Sequence, residues 1–415
     1  MPGADPLLRA RDSSPLGAER RLTVIYDDRP LPASDTDTVS SALLRAGIVA
    51  TSRSLKYRRP RGPFCLQGDC GTCLVRIDGI PNRRACTTRV ADGMRVEPQN
   101  RVFSGGPDPT ALVDRMFMSN LDHHHFMVRP KLVNRMMQEV ARNLAGLGTL
   151  PDAAPPLPFR EHHTPDVVVI GGGRAGLAAT SWLRTSGLVV ECVERFDERW
   201  STTRRPAASV RWETAVFGIY PPEAMVGAIE SAARTVHTFA PAHIVLATGA
   251  RDVMVPLCNN DLPGVVAARG LVAMLDRTGT ELACDAVVVG DPLVAAPLAA
   301  RLRVPVLAPD EVTAILGGSR VEAIATASGK RDVGCVALAA PPAPASDLAR
   351  QAGAKVAWSD GGFAIVRDDD GRCGDGPWQL WACGEVCGVS PEAAEDDGER
   401  VARAIVAHHR KRGAR

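Results

Sequence analysis

The chain of 415 residues carries 49 Lys and Arg against 47 Asp and Glu, a formal charge of +2. That near balance argues against a general nucleic-acid binder, and the length predicts two or three domains with sizeable cores. No stretch approaches the eighteen or so uninterrupted apolar residues of a membrane span, and the opening MPGADPLLRARDSSPLGAERR holds no secretory apolar run. The expected compartment is the cytoplasm, where structural disulfides are rare, so the eleven cysteines need another explanation.

Residues 1–20 are polar and Pro/Gly-bearing, which predicts a disordered tail. RLTVIYDDRPLP, from Arg21, alternates apolar and polar residues and turns at Asp27-Asp28, the pattern of two strands. TDTVSSALLRAGI predicts an amphipathic helix that starts near a Thr or Asp cap and stops at Gly47. A basic run, a cysteine segment and the short strands CLVRIDG and MRVEPQN follow. This order suits a small half-open sheet wrapped over one helix, the β-grasp ferredoxin arrangement, over residues 21–105. Residues 106–164 read as a helical bridge ending in the proline-rich linker LPDAAPPLP. Strand–turn–helix units then continue to the C-terminus. They predict a dinucleotide-binding domain over 165–262 plus 355–415, with a second, inserted domain over 263–354. The fold class expected is α/β: a β-grasp iron–sulfur domain followed by a Rossmann-like flavoprotein fold with two dinucleotide domains.

The segment CLQGDCGTCLVRIDGIPNRRAC spaces its thiols as Cys65-x4-Cys70-x2-Cys73-x12-Cys86. The first three match the plant-type [2Fe–2S] spacing. Gly68 and Gly71 permit the backbone angles of a loop that aims N–H groups at sulfur. Zinc is the rival, but zinc ribbons pair two short cysteine knuckles, and here Cys86 stands alone. The segment therefore predicts Cys65, Cys70, Cys73 and Cys86 as ligands of a one-electron cluster.

VVVIGGGRAGLAA places Gly171, Gly173 and Gly176 between an apolar strand and an Ala-rich helix. Gly171 makes the tight turn, Gly173 lets the backbone approach a pyrophosphate, and Gly176 lets helix and strand pack closely. Glu194, 23 residues beyond Gly171, ends the next strand, where an acid accepts hydrogen bonds from a ribose diol and disfavours a 2′-phosphate. A second fingerprint, GDPLVA (290–295), keeps Gly290 but puts Pro292 and Ala295 at the other glycine positions. Pro292 has no N–H for a phosphate, so this site reads as lost to nucleotide.

These motifs resemble those of the two-dinucleotide-domain flavoproteins, whose strands end in Ala-Thr-Gly and Gly-Asp or Gly-Glu, as do HIVLATGA (243–250) and LWACGEV (380–386). The resemblance implies that Gly249 and Gly384 shape the FAD site and that Glu385 contacts the ribityl chain. The Gly-Gly pair usual after the ribose acid is absent from ERFDERWSTTRRP. Further stretches resemble the α subunit of heterotetrameric sarcosine oxidase and its relatives, the hydrogen cyanide synthase, opine oxidase, proline dehydrogenase and hydroxyproline dehydrogenase subunits. They are SALLRAGIVATSRSLKYRRPRG, FMVRPKLVNRMMQEVARNLAGLGTLPD, TAVFGIY (214–220) and DLPGV (261–265). The four cysteines, and a chain ending at Arg415 without a folate-binding region, depart from sarcosine oxidase α. The family implies an amine-oxidase-like flavoprotein β subunit as partner and a quinone or other carrier as acceptor. It also leaves FAD, NAD or another adenine nucleotide open at the first fingerprint.

Three weaker signals have plain explanations. Asp122-His123-His124-His125 lie adjacent in sequence and do not converge on a metal. Cys383 and Cys387 flank Gly384-Glu385 and read as small buried residues rather than a redox disulfide. Arg53, Lys56, Arg58, Arg59 and Arg61 form a basic patch that suits either carboxylate pairing or a solvated face. The function expected is an electron-transferring α-type subunit of an amine or imino-acid dehydrogenase. A self-sufficient NAD(P)H-dependent reductase and a non-catalytic scaffold subunit are the alternatives.

Overall fold

The computed structural model describes residues 5–11, 20–54, 59–100, 156–198, 210–230 and 233–413. The chain forms two compact units, residues 1–154 with 254–340, and residues 155–253 with 341–415.

In the first unit a five-stranded sheet runs in the order Arg29–Ser34, Arg21–Tyr26, Arg95–Pro98, Leu74–Ile77, Ile80–Arg84. Arg21–Tyr26 and Arg95–Pro98 pair in parallel and the other neighbours are antiparallel, a β-grasp sheet. Asp27 and Asp28 take φ of 48° and 65°, the two left-handed positions that a tight hairpin demands. Thr38 caps the helix Val39–Arg45 through a reciprocal bond with Ser41. The helix buries Val39, Ala42 and Leu43 against Val24, Val75 and Val96 of the sheet.

The inserted residues form a parallel sheet in the order Val265–Ala267, Cys335–Ala339, Ala286–Gly290, Val306–Leu307, with helices Ala268–Thr278 and Pro292–Leu302. Strands of a parallel sheet are covered on both faces, which is why VVVG and CVALA read as unbroken apolar runs. The insertion is not a free-standing domain. Leu44, Val49 and Leu66 of the β-grasp part share one core with Val266, Leu271 and Val288 of the insertion. Part of the tail expected to be disordered joins them: Leu8–Ala10 is a strand, antiparallel to Thr280–Leu282, and Leu7 and Leu8 are buried, while residues 1–4 and 12–19 lie outside the described residues. Leu7 and Leu8 anchor this short strand, while Arg9 and Ala10 stay exposed.

The second unit is built on a six-stranded sheet in the order Val210–Arg211, Val190–Val193, Val167–Ile170, His243–Leu246, Gln379–Ala382, Arg372–Asp375. All neighbours are parallel except the last pair. Helices Arg174–Thr185 and Ala394–Gly413 cover one face, sharing a core of Ala175, Ala179, Leu183, Val401 and Ile405. A four-stranded sheet in the order Thr214–Tyr220, Met225–Glu230, Thr235–Phe239, Phe159–His163 packs on the other face through Ile219, Val226, Ala228 and Phe239. Phe159–His163, expected at the end of a helical bridge, is a strand because it pairs in parallel with Thr235–Phe239. Residues 101–155, which hold most of the expected bridge and the run Asp122–His125, lie outside the described residues. The observed boundaries of the insertion, 254 and 340, precede the expected 263 and 354. The strand pair Val356–Ser359 and Gly362–Ile365 belongs to the second unit.

Candidate functional site

The cysteine loop lies between the β-grasp helix and the hairpin Leu74–Ile77/Ile80–Arg84. Pairing of Leu74 with Arg84 brings the flanking Cys73 and Cys86 together, and Ala85 N donates to Cys73 O at 3.1 Å. Cys65, Cys73 and Cys86 are buried and Cys70 is exposed. The loop turns at Gly68 (φ +83°) and Gly71 (φ +67°), and a Cβ at Gly68 would come within 2.8 Å of Thr87. Leu66 also takes a positive φ, 55°, which is costly for a branched residue. Its side chain is buried in the core shared with Leu44 and Val266, and that burial offsets the strain.

Backbone donors surround the sulfurs. Cys65 Sγ accepts from Asp69 N at 3.2 Å and Cys70 N at 3.3 Å. Cys70 Sγ accepts from Cys65 N at 3.5 Å and lies 3.1 Å from Thr72 Oγ1. The thiols also hydrogen-bond one another. Bonds from Cys70 and Cys86 pull Cys65 down to about 2 against its burial, and Cys86 pulls Cys73 down. The same contacts raise Cys70, through Cys65, and Cys86, through Cys65 and Cys73. The flanking N–H groups supply the kind of hydrogen bond to sulfur that tunes iron–sulfur clusters, and these four cysteines would hold such a cluster.

The fingerprint glycines sit at the carboxyl end of Val167–Ile170. Gly171 has φ +110°, and a Cβ there would collide with Ala247 O. A Cβ at Gly176 would collide with Gly171 O, so helix and turn are in backbone contact. A Cβ at Gly173, by contrast, would meet nothing within 4 Å. Gly173 is also the N-cap of Arg174–Thr185 and has no side-chain cap, which leaves the helix N-terminus open to an anion. Glu194 stands at the rim of this turn. Its Oε2 accepts from Gly172 N at 2.6 Å and its Oε1 from Phe196 N at 2.9 Å. Gly249 (φ +70°) and Gly384 (φ +80°) turn the chain just beyond His243–Leu246 and Gln379–Ala382. A Cβ at Gly249 would lie 4.0 Å from Glu385 Oε2, and one at Gly384 would lie 2.9 Å from Ala175 Cβ. The structure therefore brings Gly171, Gly173, Gly176, Glu194, Gly249, Gly384 and Glu385 to the carboxyl ends of four adjacent parallel strands, where open α/β sheets bind ligands.

Sequence reasoning missed Asp397 and Arg367. Arg367 grips Asp397 with two bonds, at 3.0 and 2.9 Å, and Arg400 adds a third at 2.6 Å. Asp397 Oδ2 also accepts from Gly384 N at 2.8 Å, which fixes the turn that carries Glu385. The only local signal was the acid beside Gly398, whose missing side chain lets the C-terminal helix touch Ala175 O.

At the second fingerprint, Asp291 caps the helix Pro292–Leu302 and accepts from Leu293 N at 2.8 Å. A carboxylate thus occupies the place of a phosphate, and Pro292 offers no donor. Cys383 and Cys387 are free thiols. Burial raises Cys383 and pushes Cys387 up to about 12, which keeps both protonated. In the basic patch Arg59 pairs with Asp261 at 3.4 Å, while Lys56 and Arg58 lie outside the described residues. Among the described residues no helix is long and apolar enough to cross a membrane.

Comparison with known proteins agrees with this geometry. Residues 19–101 match the family of 2Fe-2S iron-sulfur cluster binding domains. Hydrogen cyanide synthase subunit HcnA of Pseudomonas aeruginosa is 38% identical over 97 residues, which cover 23% of this chain and 91% of the relative. Sarcosine oxidase subunit alpha of Rhizobium meliloti is 29% identical over 304 residues, 62% of this chain and 30% of the relative. The chain thus spans about a third of the length of that relative. L-proline dehydrogenase from P. horikoshii superposes with a TM-score of 0.70 at 20% identity, over 99% of this chain and 76% of that one. The chain belongs to the sarcosine oxidase α and hydrogen cyanide synthase flavoprotein family, with a [2Fe–2S] domain fused at its N-terminal end.

Proposed function

We propose that the chain is the electron-transferring α-type subunit of a multi-subunit, flavin-dependent dehydrogenase or oxidase of amines or imino acids of the sarcosine, opine, proline or hydroxyproline type. The observation that carries this reading is a four-cysteine loop and an open, glycine-lined helix N-terminus on one chain. Cys65, Cys70, Cys73 and Cys86 hold the [2Fe–2S] cluster. Gly171, Gly173 and Gly176 admit the pyrophosphate of FAD, Glu194 takes the ribose diol, and Glu385 reaches the ribityl chain from the turn shaped by Gly249 and Gly384. NAD or another adenine nucleotide meets the same phosphate and ribose contacts. When bound, a flavin supplies two-electron chemistry and the cluster passes electrons singly. An amine-oxidase-like flavoprotein β subunit would take hydride from the C–H bond beside the amine nitrogen, leaving a C=N bond in the product, and a quinone or other carrier would take the electrons. The Asp291 cap and Pro292 at the second fingerprint speak against a self-sufficient NAD(P)H reductase.

The test uses the chain purified anaerobically. Iron, acid-labile sulfide, a rhombic EPR signal after dithionite and released FAD are expected. Cys70→Ser should abolish the cluster signal and leave the nucleotide bound. Zinc in place of iron, or a cluster that dithionite does not reduce, would refute the electron-transfer role and leave a scaffold. Flavin reduction by NADH in the isolated chain would favour the reductase.

A further inference from the structure

We propose that Glu161, His163 and His237 form a site for a divalent first-row transition metal, with zinc as its natural occupant. The site lies on the four-stranded sheet of the second unit. It owes nothing to the cysteine loop or the fingerprint.

Its geometry follows from strand register. Glu161 and His163 are two apart on Phe159–His163, so they share a face. The neighbouring strand pairs in parallel, with His237 opposite Glu161 and Phe239 opposite His163. On the far side His237 pairs with Ala228 of Met225–Glu230, which puts Glu230 on the same face. Three donor atoms consequently meet. His163 Nε2 and His237 Nδ1 lie 3.1 Å apart. Glu161 Oε2 is 3.5 Å from the first and 3.3 Å from the second. Ligands held about 2.1 Å from a tetrahedral ion stand about 3.4 Å from one another. The triangle already has the edges that such an ion requires.

The surroundings suit a metal. Glu230 Oε2 lies 3.2 Å from His237 Nε2, the outer-carboxylate arrangement that fixes a ligating imidazole with its other nitrogen toward the ion. His237 is buried, and Phe239 stacks on His163 with ring centroids 5.1 Å apart, so both imidazoles are held in place. Arg211, the nearby cation, is itself paired to Glu191 at 3.0 Å. Glu161 is about half exposed, which leaves the fourth position facing solvent. Two nitrogens and one carboxylate oxygen favour zinc and its first-row neighbours over calcium or magnesium.

The test uses tag-free, cluster-loaded full chain, titrated with Zn2+ against a chromophoric chelator and separately with Co2+. One Zn2+ per chain beyond the cysteine loop is expected. Co2+ should give the d–d bands of a nitrogen–oxygen site without sulfur-to-metal charge transfer. Glu161→Gln and His163→Gln should each weaken Zn2+ binding at least tenfold, and Glu230→Gln about tenfold as an outer ligand. Cys70→Ser should leave this affinity unchanged. Because Glu161 is half exposed, its variant reports on the site even where His237→Ala does not fold. Wild-type affinity in Glu161→Gln and His163→Gln, or Co2+ bands that vanish only with Cys70→Ser, would overturn the proposal and leave a hydrogen-bonded histidine pair.

Discussion

At the scale of single residues, glycines of one motif do different work. Gly176 has no room for a methyl group, because the helix backbone rests on Gly171 O. Gly176→Ala should destabilise the second unit by about 3 kcal/mol, as overpacking does, and release the nucleotide with the loss of fold. A methyl at Gly173 meets no protein atom. Gly173→Ala should keep stability within about 1 kcal/mol, yet lose the nucleotide, because the methyl stands where the pyrophosphate approaches. Thermal melts with and without released nucleotide separate the two. Asp397 adds a pH dependence. Burial raises its pKa, but Arg367, the Gly384 N–H and Arg400 outweigh burial and hold it below its ordinary 3.8. Because the folded value is depressed, its stabilisation is complete above the unfolded pKa and is lost as pH falls through the folded one. Asp397→Asn should cost about 3 kcal/mol at neutral pH by stranding Arg367. It should also flatten the acid limb of a melting-temperature profile. A mutant that melts like the parent across pH 2–5 would show that the Asp397–Arg367 pair contributes nothing.

Among the elements, the N-terminal strand is the unexpected one. Leu8–Ala10 pairs with Thr280–Leu282, and Leu8 enters the core with Leu44, Leu66 and Leu271. Leu66 is the residue that anchors the cysteine loop in its strained turn, so the far end of this core bears on the cluster. Leu8→Ala should cost about 3 kcal/mol, as buried leucine truncations do. It should lower the temperature at which cluster absorbance is lost while leaving the release of nucleotide nearly unmoved. Equal shifts in both transitions would mean that this core does not support the loop. The cysteine loop itself was legible because its ligands lie within one short segment and the intervening spacing leaves few ways to fold it. The pairing of residue 8 with residue 282 was not, since a three-residue strand is too short to show a period.

For the whole molecule, the sequence suggested a β-grasp domain, a bridge and a dinucleotide domain interrupted by an inserted one, and the structure forms two units, with the insertion sharing a core with the β-grasp part. The chain thus places its two cofactor sites in separate units. This division is what lets Cys70→Ser and Gly173→Ala act on one site each.

Sequence alone determined the four-cysteine loop, the fingerprint turn and the proline at the second fingerprint. Each is a local pattern whose chemistry depends on spacing, on glycine's missing side chain or on proline's missing N–H. Tertiary structure alone decided that Asp397 and Arg367 hold the Glu385 turn, that Leu8–Ala10 is a strand, and that Glu161, His163 and His237 converge. Those are contacts between residues distant in the chain. Their partners are chosen by strand register and helix packing, which no short window of sequence contains.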